Sequence, residues 1–170
     1  MVAADLETVA AIERESHNPL PPEGLSVFAD RLALFPAGCF VAGCRLGRPV
    51  GGYALAHPWA GPAPALGSVP LRLPESPDHL LLHDVAILPP LRGQGLAAAV
   101  VALLCRVAAA QGLAELRLVS VHATQPMWAR LGFVADGPMA AAGYGEGAVP
   151  MRLASVATPP RGGGRQPAGR

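Results

Sequence analysis

Apolar residues recur at Leu6, Val9, Ala10 and Ile12, the three- and four-residue spacing of one helix face, so the chain opens with a helix over 5–16. Pro19, Pro21 and Pro22 end it. The stripe Leu25, Phe28, Leu32 and Phe35 predicts a second helix over 23–34, with Pro36 after it. Residues 39–46 and 50–57 read as a hairpin turning at Gly47-Arg48-Pro49. The segment 58–77 is rich in Pro and Gly and has no period; a loop of that length is either functional or disordered. Then come a strand over 80–88, a long apolar helix over 94–111, a strand over 116–121, a short helix near 125–131, and strands near 133–139 and 148–153. Residues 154–170, with Pro159-Pro160 and Gly162-Gly163-Gly164, predict a disordered tail behind a single domain over 1–153.

Composition narrows the class. At 170 residues, with 51% hydrophobic and 15% charged positions, the chain can bury a core and is not disordered in its main body. A formal charge of +1 without a basic run argues against nucleic acid and anionic membranes as partners. The apolar stretch Leu96–Cys105 stops at Arg106, too short to cross a bilayer. Asp5 and Glu7 stand where a secretion signal needs basic residues, so a cytoplasmic location is expected. Cys39, Cys44 and Cys105 have no metal-ligand spacing. Cys39 and Cys44 fall on opposite faces of one strand, and all three read as buried free thiols; no metal is expected. The chain contains no lysine but abundant Ala, Arg, Gly and Pro, a GC-rich bacterial coding bias.

Chemistry concentrates in Ile87–Ala98. A strand enters a Pro-bearing turn that opens directly into the long helix, with Gly93 and Gly95 at the junction. Without a Cβ the amides there can approach an anion, the helix start supplies unpaired N–H groups and a positive dipole end, and Arg92 adds a charge. A diphosphate is the natural guest. A P-loop is excluded, because it needs lysine. Gly93-Gln94-Gly95-Leu96-Ala97-Ala98 matches the dinucleotide fingerprint, but Glu115 precedes the next strand instead of ending it. A third reading is the acyl-CoA pyrophosphate loop Gln/Arg-x-x-Gly-x-Gly/Ala, met at every fixed position by Arg92-Gly93-Gln94-Gly95-Leu96-Ala97. A glycine turn that merely starts a helix is the plain alternative.

Two further motifs join the loop: Leu82-His83-Asp84-Val85-Ala86-Ile87 before Pro89, and Pro126-Met127-Trp128-Ala129-Arg130-Leu131-Gly132-Phe133. In this order they resemble the GCN5-related N-acetyltransferase (GNAT) superfamily, and within it the arylalkylamine (serotonin-type) enzymes. The resemblance implies an α/β GNAT fold: a mixed, mostly antiparallel central sheet flanked by helices and splayed between the family's fourth and fifth strands, here 80–88 and 116–121. The family usually opens with a strand before the first helix; here that strand is missing, very short, or lost to a misassigned start. The resemblance also implies acetyl-CoA as cosubstrate and acetyl transfer to a small amine. Dimerisation is common in the family, and nothing in this sequence decides it.

The implied roles attach to particular residues. Val85, Ala86 and Ile87 would pair with the pantetheine arm, and Arg92, Gly93, Gln94, Gly95, Leu96, Ala97 and Ala98 would hold the pyrophosphate. The Ile87 N–H would face the thioester oxygen. His83, of the side-chain type whose unperturbed pKa lies nearest neutral pH, matches a base of the arylalkylamine enzymes; the alternative is a half-buried strand histidine bonded to backbone. Asp84 is either catalytic or a structural carboxylate or ammonium anchor. The two point to opposite faces unless a bulge reorients them. Trp128 replaces the family's acidic tyrosine; indole is no useful acid, so water, the product ammonium or Tyr144 would protonate the thiolate. Trp128 then packs the pantetheine arm or substrate, or sits in the core. His122 follows a strand and can line the acceptor cleft, whereas His17, His57 and His79 look scattered. With only His83, Asp84 and His122 as polar candidates, an apolar or aromatic amine is expected instead of a polyamine, with protein N-termini and amino-sugar antibiotics left open. The competing class is a non-catalytic acyl-CoA-binding or regulatory domain, favoured by Trp128.

Overall fold

The first apolar stripe folds as helix α1 (Leu6–Ser16), entered through a 3₁₀ turn at Ala3–Asp5, and it buries Leu6, Val9, Ala10 and Ile12. The computed structural model describes residues 1–17, 21–43, 49–68, 72–137 and 143–154. Among these no strand precedes α1. Helix α2 (Leu25–Leu34) starts after Gly24, later than expected. Its inward face also differs from the expected stripe: Val27, Phe28 and Arg31 are buried, while Leu25 is exposed. A polar requirement turned the helix, because Arg31 has partners inside.

Strands β1 (Cys39–Ala42) and β2 (Gly52–Trp59) pair antiparallel from Cys39↔Leu55 to Ala42↔Gly52. Cys44 and most of the expected turn, Gly47 and Arg48, lie outside the described residues. Pro58 and Trp59, expected in the loop, extend β2 past the end of β1. Proline is tolerated there because that part of the strand has a neighbour on one side only. After β3 (His79–Ile87) come α3 (Leu96–Ala110), β4 (Glu115–Ser120), α4 (Gln125–Arg130), β5 (Val134–Ala135) and β6 (Val149–Ala154). β5 is far shorter than the expected 133–139, of which 138–139 are not described, and Ala154 closes β6 instead of opening the tail. The tail itself, 155–170, lies outside the described residues.

The sheet order is β1-β2-β3-β4-β6-β5. Every neighbouring pair is antiparallel except β3 and β4, which α3 joins as a parallel crossover. Ala54, Ala56, Leu80, Leu82, Leu116 and Leu118 meet α3 through Val101, Leu104 and Ala108. Tyr53, Leu55 and Ala86 meet α1 and Phe28 of α2 on the opposite face. Burying a side chain such as Leu104 contributes about 1.5–3 kcal/mol.

One irregularity positions the chemistry. Leu55 opposes Asp84 and Ala56 opposes Leu82, so His83 is the unmatched residue of a β-bulge. Leu80, Leu82 and then Val85 pack on the α3 side, which shows the alternation slipping by one between them. His83 and Asp84 therefore both face α1 and α2, as neighbours in a regular strand cannot.

Candidate active site

The ladder between β3 and β4 ends at Leu82↔Leu118, whereas β3 continues to Ile87. Beyond that point lies a cleft of about 420 Å³, lined by β3, the start of α3, the end of β4, α4 and the C-terminal turn of α1. Its walls are largely apolar, through Leu66, Leu82, Leu118, Val119, Val121 and Met127.

His83 enters with its side chain withdrawn from solvent. Its Nε2 lies 2.9 and 3.0 Å from the two carboxylate oxygens of Glu23, in the segment before α2. Burial pushes the Glu23 carboxyl up, but His83, the Gly67 N–H and Arg31 outweigh it and hold it below its ordinary range. Ionised Glu23 can only accept, so His83 donates from Nε2, and Nδ1 is left as the basic nitrogen of the neutral ring. That Nδ1 is buried and has no partner among the described residues.

Behind Glu23 lies Arg31, with guanidinium 3.8 Å from the carboxylate and a hydrogen bond to the Ser68 carbonyl. Arg31 also meets His57 Nε2 at 2.9 Å. Guanidinium can only donate, so His57 accepts at Nε2 and donates from Nδ1 to the Pro58 carbonyl. Burial, with the Arg31 charge, lowers the His57 pKa to about 4.

Asp84 carries a second set of contacts. The Tyr53 hydroxyl donates to its Oδ2 at 2.5 Å, and His17 Nε2 lies 2.9 Å from Oδ1, at ion-pair distance but without hydrogen-bond alignment. Burial raises the Asp84 pKa, and His17 and Tyr53 more than reverse it, so Asp84 is ionised. Burial lowers the His17 pKa, and Asp84, with Glu13 and Glu23, turns the shift upward. Both Asp84 oxygens are thus engaged, which suits a structural or anchoring carboxylate better than a proton acceptor.

His122 does line the cleft and stacks on His17 at 5.7 Å. Its φ of 53° and that of Ala123, 56°, are left-handed, a strain of about 1–3 kcal/mol at each. The turn into α4 spends it to set the imidazole over His17.

At the other end, Leu88 donates to the Gly51 carbonyl at 2.8 Å, so its N–H points towards the β2 side, while Gly51 itself donates to the Ala42 carbonyl. By alternation the N–H and C=O of Ile87 point away from β2, towards the cleft. Arg92 agrees, donating from Nε to the Ile87 carbonyl at 2.8 Å. Gly93 and Gly95 have φ of 75° and 77°, and a Cβ on either would meet nothing within 4 Å. Gln94 folds back to the Pro90 carbonyl, and the first turn of α3 contains no acidic residue. This open, glycine-lined, cation-flanked helix start fits a diphosphate. Val85, Ala86, Ile87, Arg92 and Ala97 line the cleft itself; Gly93, Gln94, Gly95, Leu96 and Ala98 stand outside its lining, at the helix start.

Trp128 is almost fully buried, packs edge-on against Phe133 at 5.6 Å and donates its indole N–H to Thr124, so it serves the core while touching the cleft. Tyr144 also lines the cleft, with its hydroxyl donated to the Pro64 carbonyl. Burial, with Glu23, raises its pKa. Neither side chain offers a free proton to a leaving thiolate in this arrangement.

Several participants escaped the sequence reading. Glu13, Ser16, His17 and Glu23 line the cleft, so His83, Asp84 and His122 are not its only polar groups, and His17 and His57 are not scattered. Glu13 had a signal: it follows Val9 by four and Leu6 by seven, on the buried stripe. The loop after β2 contributes to the cleft, with Leu66 in its wall and Gly67, Ser68 and Pro64 bonded to Glu23, Arg31 and Tyr144.

The fold is of the GNAT acetyltransferase type. The acetyltransferase (GNAT) family model matches residues 6–133, and the chain belongs to that family. A comparison with curated protein sequences gives no match. Among solved structures the chain is similar to the loading GNATL domain of CurA from Lyngbya majuscula (16% identity, TM-score 0.73, covering 91% of this chain and 94% of that one). It is also similar to the GphF GNAT-like decarboxylase in complex with isobutyryl-CoA (16%, 0.72, 91% and 96%). A third is the ribosomal-protein-S18-alanine N-acetyltransferase of Escherichia coli (20%, 0.58, 91% and 90%). At these identities the likeness is one of fold. No helix among the described residues is long and apolar enough to cross a membrane.

Proposed function

We propose that the protein is an acetyl-CoA-dependent N-acetyltransferase of a small primary amine with an apolar or aromatic body. The observation that carries this reading is the buried His83–Glu23 pair, which leaves an unpartnered Nδ1 on His83, a residue that lines the same cleft as Ile87. Acetyl-CoA would supply the acyl thioester: the amine nitrogen bonds to the carbonyl carbon, the C–S bond breaks, and sulfur leaves with a proton the amine gives up. Arg92 and the 93–98 helix start hold the diphosphate, and Val85–Ile87 the arm. Ile87 N–H, fixed in a strand, stabilises developing negative charge on oxygen without reorganising. His83 takes the proton that makes the amine nucleophilic, and Glu23 steadies the imidazolium. Trp128 and His122 border the acceptor.

The apolar walls support a hydrophobic amine, as does the motif likeness to arylalkylamine enzymes. A decarboxylase reading would seat a carboxylated acyl group against Glu13, Glu23 and Asp84, where like charge opposes it. The surviving alternative is a non-catalytic acyl-CoA-binding domain, favoured by the committed Trp128 and Tyr144 protons. Calorimetry with acetyl-CoA and a thiol-release assay over an amine panel test the reading. Binding with turnover is expected; binding without turnover on any amine supports the alternative.

A further inference from the structure

We infer that Glu13, Glu23 and Asp84 form a receptor for one primary ammonium group. The inference takes its ligand from the acetyltransferase reading but concerns binding, not transfer. Each carboxylate offers an oxygen, and the three atoms lie within 4.8 Å of one another. An ammonium holding three acceptors at about 2.8 Å in tetrahedral directions sets them about 4.6 Å apart, so the spacing admits one ammonium nitrogen. It is too tight to serve the spaced charges of a polyamine.

A second observation is independent of that spacing. Glu13 is 3% exposed. Its Oε1 accepts the Glu23 N–H at 2.6 Å, while Oε2 is buried and has no partner among the described residues. Ser16 Oγ and His83 Nδ1 share that condition, and all three residues line the cleft. A native fold leaves few such atoms unpaired, and one ammonium N–H would answer the Glu13 oxygen.

Charge points the same way. Glu23 faces Arg31 and His83, and Asp84 faces His17, whereas among the described residues no basic side chain pairs with Glu13. Glu13 is the carboxylate of the three without a basic partner, and an ammonium supplies one.

The experiment is calorimetry on the protein saturated with CoA, which cannot acetylate. The probes are 2-phenylethylamine, its N-trimethylated ammonium and 2-phenylethanol, each titrated into wild type and Glu13→Gln. The primary amine should bind wild type about ten- to a hundredfold more tightly than the alcohol or the quaternary ion, and Glu13→Gln should lose most of that advantage. Equal binding of amine and alcohol, or no amine binding, overturns the receptor; the wild-type series alone decides this if the variant does not fold. Manganese chloride displacing the amine would make the cluster a metal site and also overturn it. A thiol-release assay keeps the two ideas apart. Selective amine binding without release leaves the receptor standing and removes the acetyltransferase reading; release with an unchanged amine KM in Glu13→Gln does the reverse.

Discussion

His83 and Glu23, 60 positions apart in the chain, meet at 2.9 Å with both side chains withdrawn from water. The carboxylate fixes which nitrogen of the ring carries a proton, and the bulge puts His83 among the residues that line the cleft. His83→Ala should leave acetyl-CoA affinity nearly unchanged and lower turnover by roughly 10²-fold or more, with the deficit narrowing as pH rises and the amine deprotonates unaided. Glu23→Gln should lose about tenfold, because the imidazolium formed on proton uptake has no counter-charge. Full activity of His83→Ala at neutral pH would remove histidine from the base role.

Gly95 should separate backbone strain from anion binding. Its φ of 77° is left-handed, which asparagine tolerates and valine does not. Gly95→Asn should melt close to wild type yet lose more than about tenfold in acetyl-CoA affinity, because its side chain fills the space a phosphate oxygen needs. Gly95→Val should lose both. Unchanged affinity in Gly95→Asn would place the diphosphate elsewhere.

Burial raises the Glu13 carboxyl above its ordinary value of 4.5. A raised acid means that the fold holds more protons than the unfolded chain, so this group costs stability as pH climbs from about 4.5. Glu13→Gln cannot ionise and keeps an oxygen for the Glu23 N–H. Thermal melts should show the variant equal to or above wild type at pH 7, with the difference gone near pH 4. A variant less stable at neutral pH than at acid pH, relative to wild type, contradicts the sign.

His57 works in the opposite sense. Its pKa of about 4, against an ordinary 6.5, means the unfolded chain binds the extra proton first. Its contribution is therefore intact above pH 6.5 and lost as pH falls, fully so below about 4, and it amounts to about 3 kcal/mol. Urea midpoints for wild type should drop across that window, and His57→Gln should flatten the drop. An identical pH profile in the variant would show that Arg31 does not depend on a neutral imidazole.

How much of this was legible follows the range of the interactions. Strand and helix positions were readable because period and proline punctuation are local: Leu6, Val9, Ala10 and Ile12 are all buried as spaced. His83, Asp84 and the 92–98 loop were readable because their chemistry sits in one contiguous run. Glu13 was readable in principle, as a charge on an apolar stripe. Glu23 and His17 were not, since they flank a proline break and acquire meaning only when α1 and α2 close over β3. The α2 stripe misled for a related reason: Arg31 outcompeted Leu25 for the interior once a buried carboxylate and an imidazole were there to receive it.

Apart from Leu66 in the cleft wall, the segment after β2 touches the site through main-chain atoms: Pro64 and Ser68 by their carbonyls, Gly67 by its N–H. Any amino acid has a carbonyl, so positions 64 and 68 are free to drift in identity while residue 67 refuses proline and, at φ 73°, favours glycine. Evolution can therefore rewrite the spelling of this stretch but not its length. A library of single deletions across 62–68 should inactivate the protein where a library of substitutions at 64 and 68 leaves it working.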